Sequence, residues 1–289
     1  MPEPPLLHLP LSLSVNNRRR ALLMCIATLL LLTAVVVLGR LLASGNPSVA
    51  TATDFSIKSL PPSLAHPFGT DWMGRDMLSR TLAGLSTSVL LGLSAAFASA
   101  IFALILGTVA ALGGRRADAA VTWLIDLVLG IPHIILLILI SFAIGKGLWG
   151  VVVGITLTHW PNLARVIRAE VLQCRQSVFV AQAQKLGASP LRIAWSHMIP
   201  HILPQFLVGL VLMFPHAILH EAALTFLGFG LPPEDPAIGI ILSESMGYLS
   251  AGAWWLAVFP GAALVLVVLL FNSTASNLRR LLNPLNSQE

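Results

Sequence analysis

The chain has 289 residues, of which 56% are hydrophobic and only 10% charged, with a formal net charge of +5 and a mean hydropathy of +0.85. A soluble domain carries about 25% charged residues, so this composition excludes an ordinary water-facing globule and points to an all-α integral membrane protein. The positive balance does not call for a nucleic-acid partner, because membrane proteins keep basic residues in their cytoplasmic loops. The two cysteines, Cys25 and Cys174, fall in very different segments and suggest neither a disulfide framework nor a thiolate metal site.

Residues 1–20, ending in Arg18, Arg19 and Arg20, read as a cytoplasmic N-terminal tail. The charges follow the apolar stretch and no small-residue cleavage site comes after residues 21–43, so this first span is expected to be retained. A crossing needs about 20 apolar residues. Six segments qualify: 21–43, 86–112, 119–144, 147–167, 201–228 and 253–275. The third contains Asp126 and Pro132 and the fifth Pro204 and Pro215, which predicts kinks. In lipid the backbone groups freed by proline must find partners on neighbouring helices, so a packed bundle is expected.

Residues 44–85 read as an outer Pro/Gly-rich loop entering a short amphipathic helix, and 228–252 as an outer loop with a short re-entrant or interfacial helix. A core of 86–280 holds the cytoplasmic stretch 168–200, and 281–289 close the chain as a cytoplasmic tail. With the N-terminus inside, the inner segments carry twelve lysines and arginines against five outside, which favours both termini in the cytoplasm.

The stretch "KLGASPLRIAWSHMIP", 185–200, is patterned as a folded elbow. Phe179, Ala183 and Leu186 recur at helical spacing before it. Gly187 suits the left-handed position that closes a helix, Ser189 suits a cap, and Pro190 suits the first turn of the next helix. Leu191, Trp195 and Met198 form a second stripe. Two readings stay open: a plug for a groove on another protein, or a hairpin packed under the bundle.

An ionisable residue at membrane depth costs about 2.5 kcal/mol or more, which singles out Asp126, His133, His159, His216, His220 and Glu221. His216 and His220 share a helical face, with Glu221 beside the second. They suit transition-metal ligation, a hydrogen bond between helices, or support of the turn around "FLGFG". A pore must release its cargo, which argues against a tight metal site there. Asp126 and His133, seven apart across Pro132, read either as a pore-facing or inter-subunit pair or as a structural hydrogen-bond knot.

"FVAQAQKLGASPLRIAWSHMIPHILP" resembles the coupling-loop signature of ABC-importer permeases: Gly187 takes its glycine and Ile199-Pro200 its ending. Ala181 stands where the signature has glutamate, Gln182 replaces its first alanine, and His197 an apolar position. "HPFGTDWMGRDMLSR" is similar to a segment of the second permease of peptide and nickel importers, with His66, Gly69, Thr70, Asp71, Gly74, Arg75, Asp76, Ser79 and Arg80 in register. "EAALTFLGFGLPP" and "FPGAALVLVVLLFNSTASNLRRLLNP" resemble the end of that family's fifth span and its sixth span and tail.

The resemblance implies a type I importer permease fold with six transmembrane helices in the bacterial cytoplasmic membrane. It implies half of a pore completed by a second, homologous permease, two ATPase subunits that use ATP and magnesium, and an extracytoplasmic binding protein. Ala181, Gln182, Leu186, Gly187, Ala188, Ser189, Pro190, Leu191 and Arg192 would form the contact with an ATPase. The motif at 66–80 would serve as a gate or a binding-protein contact, or be a self-capped loop.

"HAILHEAALTFLG" and "LTHWPNLARVIRAEV" are more similar to the nickel branch, whereas Glu221 sits where the peptide branch carries an acid. The expected cargo is therefore nickel or a metal chelate, with di- or oligopeptides as the alternative. No Gly-x-x-x-x-Gly-Lys-Ser/Thr loop occurs in the sequence, so the chain is expected to be non-catalytic and to bind no nucleotide itself. A metallopeptidase would need its glutamate between the two histidines, and a secondary transporter would show repeats in matching halves.

Overall fold

The computed structural model describes residues 12–45 and 53–282, and the expected tails at 1–20 and 281–289 lie mostly outside them. Every long element is helical: α1 (Ser12–Gly45), α2 (Met77–Leu112), α3 (Gly114–Gly130), α4 (His133–Ile144) and α5 (Leu148–Arg175). After these come the short α6 (Val178–Lys185) and α7 (Pro190–Ile193), then α8 (Ile199–Phe226), α9 (Ile238–Leu249) and α10 (Trp255–Leu282). A wider π-helical stretch, Ala194–Met198, joins α7 to α8.

Four of these helices, α1, α2, α8 and α10, are long and apolar enough to cross a membrane, and α3 with α4 makes a fifth if the bent pair counts as one. The expected span at 147–167 falls on α5 from Leu148 onward, with Gly147 as the residue before the helix, and the last turns of α5 carry Arg165, Arg168, Glu170 and Arg175. Large side chains of α1 such as Leu29, Leu30 and Leu41 are exposed. A contiguous apolar face of this kind suits lipid rather than water.

Two expected boundaries change. Among the described residues of the outer loop the short helix is a single 3-10 turn, Phe55–Ile57; Asp76 accepts a hydrogen bond from the Ser79 amide at 2.8 Å, and from this cap one long helix, not a short one, runs to Leu112. At about 1.5 Å per residue its 36 residues reach about 54 Å. The third span is broken: α3 and α4 meet at 98°. Pro132 has no amide to donate and forces Ile131 into extended backbone (φ −96°, ψ 136°), so the helix ends and restarts. Pro204 and Pro215, by contrast, lie inside the unbroken α8.

α2 is the spine. It packs most extensively on α5 and also against α1 and α8. Its buried face is a row of small residues, Gly84, Ser88, Gly92, Ala96 and Ala100, with Ser99, Ala103 and Gly107 beside them. Helices in lipid gain little from the hydrophobic effect and associate by close van der Waals packing, which small residues permit. The approach is tight: a Cβ on Gly107 would sit 2.7 Å from the Ala164 carbonyl oxygen. Ser99 Oγ donates to the Thr156 carbonyl at 3.1 Å, and Ser86 Oγ to the Val36 carbonyl at 3.2 Å.

Candidate functional site

The loop before α2 is closed on itself and on α9. Asp71 is only 2% exposed, and its Oδ1 accepts from the amides of Met73 and Arg75, both at 2.9 Å. Its Oδ2 accepts from Arg75 Nε at 2.6 Å and Arg80 Nη1 at 2.8 Å. The same two guanidiniums donate to Glu244 Oε2 of α9, at 3.3 and 2.9 Å. Thr70 Oγ1 donates to the Ile57 carbonyl and accepts from the Leu60 amide, while His66 Nδ1 lies 2.9 Å from Asp76 Oδ2.

Gly69 and Gly74 have φ of +71° and +76°, and a Cβ on Gly74 would overlap the Asp54 carbonyl oxygen at 1.9 Å. Ser79 occupies the first turn of α2. The nine residues of the motif are thus gathered into one turn whose charges are spent on each other and on Glu244. The sequence pattern held no sign of Glu244, which lies more than 160 residues away. At the margin of this loop, the Ser56 hydroxyl and amide donate to Asp54 and hold its carboxyl below the usual range.

The elbow lies toward the other end of α2: Arg175, just before α6, donates to the Ala111 carbonyl at 3.5 Å. Gly187 has φ +79°. The Ala188 amide donates to the Ala183 carbonyl at 3.1 Å, the six-residue closure that a left-handed glycine allows. Ser189 Oγ accepts from the Arg192 amide and opens α7, where Pro190 is the first residue and Leu191 the second. Val180, Ile193 and Met198 are buried, whereas Leu186 is 87% and Trp195 66% exposed. Ala181, Gln182, Gly187, Ser189 and Arg192 are also exposed, and Ala188 half-buried. The expected stripe is therefore split: Val180 supplies the anchor, and Leu186 points outward.

A third feature is a cavity of about 590 Å³ between α4, α5 and α8, whose lining includes His133, His159, His216 and His220. His133, His159 and His220 pack as a trio, with ring centroids 4.5–5.0 Å apart and steep interplanar angles. His216 is exposed; its carbonyl lies 2.7 Å from His220 Nδ1.

Asp126 does not join His133. The 98° bend separates their faces, and Asp126 instead accepts from Arg165 Nη2 at 2.7 Å on the exposed surface. One turn further along α5 and about two turns earlier on α3, Arg168 grips Asp118 with two bonds of 2.5 and 2.7 Å. Glu221 is fully buried away from the cavity, where it accepts from Thr225 Oγ1 at 3.0 Å; Thr225 in turn accepts from the Leu231 amide at 3.3 Å. Its neighbours are those of a carboxyl bracing the Gly228–Gly230 turn. His159 was visible only as a polar residue at depth; its place in the trio comes from the packing of α5 on α4 and α8.

The chain is thus a helical bundle with membrane-length apolar helices and an exposed elbow. Residues 103–288 match the family described as "Binding-protein-dependent transport system inner membrane component". The chain is 38% identical over 267 residues to a putative peptide transport system permease protein of Brucella suis, covering 92% of this chain and 88% of that one. It is 31% identical over 256 residues to the dipeptide transport system permease protein DppC of Bacillus subtilis, covering 89% and 79%. The inward-facing MetNI methionine ABC transporter shares the fold with a TM-score of 0.60 at 20% identity, over 72% of this chain and 98% of that chain. The protein belongs to the binding-protein-dependent inner membrane component family and is a permease subunit of an ABC importer, a non-catalytic membrane part.

Proposed function

We propose that this chain forms half of a translocation pore for short peptides in the bacterial cytoplasmic membrane. The observation that carries the cargo is the 38% identity, across nine-tenths of the chain, to a relative named as a peptide transport permease. In this reading a second, homologous permease completes the pore, an extracytoplasmic binding protein delivers the peptide, and two partner ATPases consume ATP with magnesium.

The elbow is the ATPase contact. Leu186 and Trp195 offer apolar surface to water, and a partner groove would cover it. Ala181, Gln182, Gly187, Ala188, Ser189 and Arg192 frame that surface, and Pro190 and Leu191, the first residues of α7, complete the proposed contact segment. Closure of the two ATPases drives the elbows together, and the rigid α5 and α8 on either side carry the movement into the bundle. Both termini and the elbow face the cytoplasm, supported by the basic residues Arg115, Arg116, Arg175, Lys185 and Arg192 around that end. The 66–80 turn then faces outward as a stiff contact for the binding protein or a gate.

A second reading, transport of nickel or a metal chelate, is favoured by one observation, the three imidazoles on the cavity wall. Reconstitution of the chain with its partner permease, ATPases and binding protein in liposomes separates the two. ATP-dependent uptake of a labelled dipeptide is expected, and only with the full set. Uptake by this chain alone would refute the permease assignment, and uptake of radiolabelled nickel without peptide would replace the cargo.

A further inference from the structure

We propose that His133, His159 and His220 hold a divalent transition-metal ion in the wall of the cavity. The three rings come from three helices, α4, α5 and α8, and each offers a ligand nitrogen within 4.8 Å of the others. Nitrogens about 2.1 Å from a tetrahedral zinc are about 3.4 Å apart, a difference that small ring rotations close.

The hydrogen bonds behind the rings leave the lone pairs where a metal needs them. His159 Nδ1 lies 3.1 Å from the Ile155 carbonyl and His220 Nδ1 2.7 Å from the His216 carbonyl. A carbonyl only accepts, so each Nδ1 carries the hydrogen and each Nε2 presents its lone pair. This is the outer hydrogen bond that metal-ligating histidines regularly make, fixing tautomer and ring orientation. The Nε2 atoms of His133 and His159 are buried and have no hydrogen-bond partner among the described residues. A buried polar atom without a partner is costly, and an ion shared by the rings removes that cost at both.

Three neutral imidazoles suit zinc, nickel, cobalt or copper. No carboxylate lines this cavity among the described residues, and Glu221 is turned away toward Thr225. The ion therefore keeps its double charge, and its open position, facing the cavity, takes water or an anionic donor such as a carboxylate. The assignment does not depend on the identity of the cargo.

The test is metal binding by the assembled importer, purified without a polyhistidine tag and stripped with a chelator. Titrated Co²⁺ should bind at one equivalent per copy of this chain, give an absorption spectrum of nitrogen ligation in a four-coordinate site, and be displaced by Zn²⁺. His133→Gln and His220→Gln should each weaken Co²⁺ binding by more than the about 10–100-fold that loss of an outer hydrogen-bond partner causes. His216→Gln, which keeps the backbone carbonyl behind His220, should leave binding unchanged. Should a variant fail to assemble, the wild-type spectrum decides alone. Absent stoichiometric binding, a spectrum of oxygen ligation only, or equal loss in His216→Gln would overturn the site.

Discussion

Replacing Gly187 with valine isolates the backbone requirement of the elbow. A Cβ built on this glycine meets nothing within 4 Å, so the substitution introduces no clash. Its whole cost lies in φ +79°. A left-handed backbone costs a residue with a side chain about 1–2 kcal/mol, and a β-branched residue is an outlier there. That free energy lowers the population of the turn about 5–30-fold. The bundle should be unaffected, because the turn is exposed.

Coupling, read as cargo moved per ATP hydrolysed in liposomes carrying the full importer, should therefore fall within that range while the protein stays folded. Gly187→Asn should recover much of the loss, because asparagine visits the left-handed region readily. Wild-type coupling in Gly187→Val would refute the reasoning. So would a Gly187→Asn variant as poor as valine, since the defect would then not be conformational.

Asp71→Asn removes the buried charge that two guanidiniums share and should destabilise the 66–80 turn by about 3 kcal/mol; amide hydrogen exchange of residues 57–76 would register the loosening. Gly74→Ala should be worse than Gly187→Ala in a thermal-shift assay, because a Cβ there overlaps a backbone oxygen at 1.9 Å in addition to the strain of φ +76°. Arg165→Ala and Arg168→Ala should differ. The Arg165–Asp126 pair is more than half exposed and should contribute under about 1 kcal/mol, whereas the two-bonded, part-buried Arg168–Asp118 grip should cost measurably more in the same assay.

The long apolar runs, the basic bias of one side and the turn residues at Gly187, Ser189 and Pro190 were legible in the chain, because each is a local property of composition or backbone preference. At 66–80 the aspartates read as turn and helix-start residues, but a self-capped loop stood there beside a gate or a binding-protein contact as open alternatives. The break at Pro132 was foreseen as a kink but not as a 98° turn, because proline removes one hydrogen bond and the neighbouring helices set the angle. Which partners the polar residues took was decided only in three dimensions. Asp126 turned to Arg165, Glu221 to Thr225, and Arg75 and Arg80 found Glu244 on α9. The histidine trio is of the same kind: residues 133, 159 and 220 share no periodicity. Sequence periodicity records what one helix does with its own faces, whereas a site built from three helices depends on how closely they pack: here the small-residue face of α2 takes α5 and α8, and α4 packs on α5.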